Sequence, residues 1–167
     1  PSRYLPAVSM PILFVNGTND FAYPLDSYMK SYHAVPGEKQ VRITVNMPHG
    51  HPAGWAPVEI GRFFDHHLLA KPALPQLGKL QRQGDQITLS AESPVGIKAA
   101  ALHYTTSQEP INKRMWQTVA AKVDGNRITV PAPPADATAW FITVTDKQDA
   151  MVSSPVTIAG PTQTDKP

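Results

Sequence analysis

Cysteine is absent from the whole chain, which removes disulfides, thiol nucleophiles and thiolate-bound zinc and leaves the redox compartment open. No apolar run approaches the roughly 20 residues that a membrane-spanning helix needs, so no such span is expected. Charge of either sign is thin: 15 Lys and Arg stand against 13 Asp and Glu, a formal net charge of +2. Lys113-Arg114 is the one place where two basic residues adjoin. Binding to a phosphate backbone calls for a continuous basic stripe, so no nucleic-acid partner is expected. Neither an initiating Met nor a secretory apolar segment opens the sequence, and Pro1 reads as the interior of a longer polypeptide. What is present is a 41% hydrophobic fraction, sufficient for a packed core, and 18 prolines that divide 167 residues into short elements.

The chain has two textures. Over residues 1–70 strand and helix signals alternate. Ile12 to Val15 is a short apolar run of the kind found in a parallel strand covered on both faces. Pro24 opens a helix along which Leu25, Tyr28, Met29 and Tyr32 recur at helical spacing, and Pro36-Gly37 stops it. Val41 to Val45 reads as a second strand, and Pro57 opens a second helix with Ile60, Phe63, Phe64 and Leu68 as its expected buried stripe. Residues 71–79, with Pro72, Pro75 and Gly78, read as a linker. Residues 80–160 then show strand signals alone: Ile87–Glu92, Ile97–Thr106, Met115–Val123, Arg127–Pro131, Thr138–Asp146 and Met151–Ile158. Asp124-Gly125 is a tight-turn signal between two of them. These predict an Ig-like antiparallel β-sandwich, followed by a flexible tail at 161–167. Two parallel strands and two helices cannot cover a sheet on both faces. The first segment is therefore expected to be the C-terminal β-α-β-α portion of a larger α/β domain.

Chemistry-bearing residues sit just past the two expected strands: Asn16-Gly17-Thr18-Asn19-Asp20 after the first, and Asn46-Met47-Pro48-His49-Gly50-His51-Pro52 after the second. Adjacent parallel strands deliver their carboxyl ends to one crevice. A carboxylate and an imidazole meeting there form the acid–base half of a nucleophilic triad, in which the carboxylate orients the ring and the ring moves protons to and from a hydroxyl.

At these residues the sequence resembles the C-terminal end of the α/β-hydrolase fold. More narrowly it is similar to the acetylxylan-esterase, dienelactone-hydrolase and prolyl-oligopeptidase-like group, through Met10–Gly17 and His49–Trp55. The resemblance covers about residues 1–70. It implies Asp20 as triad acid and His51 as base, with His49 as the alternative base, and it implies a serine hydrolase that cleaves acyl esters of small-molecule or carbohydrate type without a cofactor. One departure stands out. No Gly is followed two positions later by Ser, so the nucleophile and the missing N-terminal part of the domain are expected upstream, and the chain alone is expected to be inactive. A serine peptidase of the prolyl-oligopeptidase type, or a non-catalytic binding or spacer module with relic residues, are the alternatives. A secreted or periplasmic setting is the expectation for such a parent enzyme.

Trp55 and Tyr23, with Phe21, are candidate substrate contacts beside the histidine loop. His49-x-His51 with Asp20 offers too few ligands for zinc, and no metal is expected. Asn16-Gly17-Thr18 fits an N-glycosylation sequon but falls at a buried strand end, and reads as structural.

Overall fold

The computed structural model describes residues 3–159; the expected tail at 161–167 lies outside the described residues. A 3-10 turn at Leu5–Ala7 leads into β1 (Ile12–Gly17), α1 (Leu25–Ala34), β2 (Lys39–Thr44), the single-turn helix α2 (His51–Trp55) and α3 (Val58–Leu69). There follow β3 (Gln76–Leu77), β4 (Gln81–Gln83), β5 (Gln86–Glu92), β6 (Ile97–Thr105), a 3-10 turn at Ile111–Lys113, β7 (Gln117–Ala120), β8 (Lys122–Asp124), β9 (Arg127–Pro131), β10 (Ala139–Asp146), β11 (Met151–Ser153) and β12 (Thr157–Ile158).

β1 and β2 pair in parallel, from Ile12 opposite Lys39 to Gly17 opposite Thr44. The sheet does not stop there. β2 continues onto β11 through Val41 opposite Ser153, and the order runs β1-β2-β11-β10-β6-β7, with β12 also on β10. Every pairing beyond β1–β2 is antiparallel. A second, five-stranded sheet has the order β3-β5-β9-β8 with β4 on β5.

This corrects the expected fold class. The chain is not an α/β-hydrolase sheet joined to a separate sandwich. It is predominantly β, and its parallel pair is the margin of a seven-stranded mixed sheet whose other strands all lie from Ile97 onward. The sandwich architecture of the later strands agrees with the reading of the sequence. The reason for the difference is physical: β2 needs a partner on its second edge, and β11, from more than a hundred residues later, supplies it. The hydroxyl of Ser153 reinforces the junction by accepting from the Ile43 amide at 2.9 Å.

Two expected strands are each broken in two. Met115–Val123 divides because β7 pairs with β6 in the large sheet while β8 pairs with β9 in the small one, and the chain crosses between the sheets at Ala121. Met151–Ile158 is interrupted at Pro155, which has no amide hydrogen to give a ladder.

Alternation along each strand divides the core. On one face of the large sheet Phe14, Val41, Ile43 and Phe141 pack against Leu25 and Met29 of α1. On the other, Leu102, Ile142 and Val144 meet Ile87, Leu89, Ile128 and Val130 of the small sheet, and Leu13 and Val152 meet Phe63 of α3. The expected stripe of α3 is correspondingly narrower: Glu59 and Phe63 are buried, whereas Phe64 and Leu68 are exposed. The aromatic residues Phe141 and Trp116 pack edge to face in the interior.

Candidate functional site

The carboxyl ends of β1 and β2 lie side by side, so the loops that leave them share one rim. In the first loop the side-chain amide of Asn16 donates to the Tyr23 carbonyl at 2.8 Å, while its oxygen accepts from the Gly17 amide at 2.8 Å. The loop is thereby closed around Asp20. One oxygen of Asp20 accepts from the Ala22 amide at 2.9 Å and the Tyr23 amide at 2.8 Å, the local bonding that suits Asp to turns. Its other oxygen faces the second loop and lies 2.9 Å from an imidazole Nδ1.

That imidazole is His49. His51, the expected base, stands instead as the first residue of α2 with its side chain exposed. The residue between them accounts for the choice. Gly50 adopts φ 150°, a backbone region open to glycine, and sends the chain into α2 away from Asp20. The contact with Asp20 expected of His51 is thus made by His49, the alternative base of the sequence reading.

Asp20 is 6% exposed. Burial, the largest single influence, pushes its carboxyl pKa up, but the bond from His49 together with the Tyr23 and Ala22 amides outweighs it and holds the group below its ordinary value. Asp20 is thus an ionised acceptor aimed at Nδ1. No hydrogen bond among the described residues engages Nε2 of His49. The rings of Phe21 and Tyr23 lie 4.8 Å and 6.1 Å from the imidazole, centroid to centroid, and flank it.

A cleft of about 700 Å³ opens beside the pair. Asp20, His49 and His51 line its polar end, and its walls include Leu13, Val15, Tyr23, Trp55, Ile60 and Phe64. Trp55 and Tyr23, the expected substrate contacts, both line it and are 71% and 62% exposed, so their faces are open to a ligand. No Ser or Thr among the described residues lines the cleft. Among the described residues no group of three or more His, Asp or Glu is placed to hold a metal ion, and no helix is long and apolar enough to cross a membrane. The sequence reading missed Asn16 and Thr18. Their signal is present as polar residues closing an apolar strand, in the Asn-Gly-Thr run whose expected role is structural.

With that geometry in place, the chain belongs to the family of the PhoPQ-activated pathogenicity-related protein, whose family model matches residues 1–122. No curated protein matches it. Among solved structures it is similar to pectate lyase PelI from Erwinia chrysanthemi. The form in complex with tetragalacturonic acid is 14% identical over 54% of this chain and 29% of the lyase, with a TM-score of 0.31. A second crystal structure of the same lyase is 18% identical over 54% and 28%, with a TM-score of 0.29. The chain spans less than a third of the lyase's length.

Proposed function

We propose that Asp20 and His49 form the proton relay of a serine hydrolase that cleaves acyl esters, with the nucleophilic hydroxyl supplied from outside these 167 residues. The observation that carries this reading is the 2.9 Å contact between His49 Nδ1 and a buried Asp20 already held by two amides. The Nδ1–H of His49 donates to Asp20, so the lone pair of Nε2 is available to a hydroxyl. As the hydroxyl oxygen attacks the ester carbonyl, Nε2 takes its proton, and the imidazolium is stabilised by Asp20. The same proton then goes to the departing alkoxide, and water repeats the two steps on the acyl-enzyme, returning the hydroxyl and releasing the acid. The apolar walls of the cleft suit an uncharged ester: Trp55 and Tyr23 offer flat faces, and among the described residues no Lys or Arg lines the site to recruit an anion.

The test uses the native protein as isolated from its source. It should hydrolyse 4-nitrophenyl acetate and be labelled by a fluorophosphonate. His49→Ala should lower turnover by about 10⁴- to 10⁶-fold, whereas His51→Ala should keep most of it. Absence of both hydrolysis and labelling in the unaltered protein would favour a non-catalytic binding role, and a dead His51→Ala beside an active His49→Ala would overturn the assignment of the base.

A further inference from the structure

Two loops leaving neighbouring strands are free to splay, and the parallel ladder of β1 and β2 ends at Gly17 opposite Thr44. Three features tie the loops together beyond that point, two through Thr18 and one through Gly17. The Thr18 amide donates to the Thr44 carbonyl at 3.0 Å. The Thr18 hydroxyl accepts from the Asn46 amide at 2.9 Å. Gly17 lets Met47 pass against the strand end, since a Cβ there would lie 2.6 Å from the Met47 carbonyl oxygen. Asn46 adopts φ 56°, a left-handed turn that presents its amide to the hydroxyl. Thr18 is two residues before the carboxylate and Asn46 three before the imidazole, so this side-chain rung is the last fixed link on the short path between the catalytic groups.

We propose that Thr18 is the positioning residue that sets the distance between Asp20 and His49. Thr18 is 1% exposed and lies too deep to meet a ligand; it acts through the two loops. The backbone bond from its amide holds the strand ends whatever its side chain, and the hydroxyl acts on the histidine loop through the Asn46 amide. For catalysis this inference rests on the proposed hydrolase relay, but the rung itself can be tested without any activity.

Thr18→Val keeps the branched shape and removes the acceptor, while Thr18→Ser keeps the acceptor. In the 167-residue chain, the low-field proton resonance of the His49 Nδ1–H should be present in the unaltered protein and in Thr18→Ser, and lost to solvent exchange in Thr18→Val. The Asn46 amide should be protected from hydrogen exchange only where the hydroxyl is present. In the native protein, Thr18→Val should lower kcat by about 10- to 100-fold with KM unchanged, the effect of a misplaced catalytic group, and Thr18→Ser should restore it. A Thr18→Val protein with the His49 resonance and kcat intact overturns the proposal. So does a Thr18→Val chain that fails to fold, because the residue would then hold the fold rather than the pair, and so does an unprotected Asn46 amide in the unaltered protein. A native protein without esterase activity counts against the hydrolase reading alone, since the resonance and exchange measurements still decide the role of Thr18.

Discussion

His103 shows how far a single side chain can be turned from its ordinary chemistry. It lies on β6 with Nδ1 2.9 Å from the Thr118 hydroxyl and Nε2 2.9 Å from the Thr143 hydroxyl, and its ring stacks on Phe141 at 4.8 Å. Burial lowers its pKa to about 4. In the unfolded chain a histidine titrates near 6.5, so between about pH 6.5 and 4 the unfolded state binds the extra proton and stability falls as the pH drops. Urea denaturation at pH 7 and pH 5 should show this loss, and His103→Gln should reduce it; equal losses in both proteins would refute the assignment. Asp20 acts in the same direction lower down, because its depressed pKa gives stability that is present above the ordinary carboxylate range and disappears further into acid. At this scale Asp20 was legible in the sequence, since a carboxylate three residues past a strand-closing Gly is a local pattern. Its partner was legible only as a choice between two rings: His49 and His51 are separated by Gly50 alone, and the ring that returns to the strand end is settled by the path of the backbone there.

Among the elements, α3 is tied to a distant part of the chain by charged side chains. Glu59 in its first turn accepts from the Met151 amide at 2.6 Å and lies 2.9 Å from Nε of Arg42 on β2, an ion pair governed by charge rather than by a well-directed hydrogen bond. One turn later Arg62 donates to the Gln148 carbonyl at 2.6 Å, in the turn that Asp146 organises through the Gln148 and Ala150 amides. Glu59→Ala leaves the Arg42 charge and the Met151 amide without their partner, and should destabilise the protein by about 3–5 kcal/mol. Replacing both charged residues by Met should recover a large part of that loss. Urea midpoints measure both; a single variant within 1 kcal/mol of the unaltered protein, on the scale of ordinary surface changes, would contradict the role. Helical periodicity made α1 and α3 legible, and Asp124-Gly125 marked the hairpin between β8 and β9. What escaped is non-local by nature. The β2–β11 junction rests on one residue pair, Val41 and Ser153, separated by 112 positions, and nothing in either segment announces the other. Strands β3 and β4 fall in and just after the expected linker because two or three residues carry no measurable period.

At the scale of the whole molecule, the expected boundary near residue 70 is crossed by one sheet and one core. Phe14, Leu25 and Ile43 from the first segment pack in the same cluster as Ile111, Phe141 and Val156 from the second. The end of β1 is therefore part of packing that both segments share, and this has a consequence for how the protein can be made. Asn16 is 2% exposed, with its side-chain nitrogen spent on the Tyr23 carbonyl, yet Asn16-Gly17-Thr18 has the sequence pattern that oligosaccharyltransferase recognises. That enzyme meets the nascent chain extended, before burial protects the site. A sugar tree attached there cannot be accommodated at a strand end packed into the common core, so a eukaryotic secretory host should retain and degrade the modified fraction and export only unmodified protein. Mass analysis of the exported product decides the matter, and a folded, exported chain carrying a glycan on Asn16 would show that the strand end tolerates what its packing forbids.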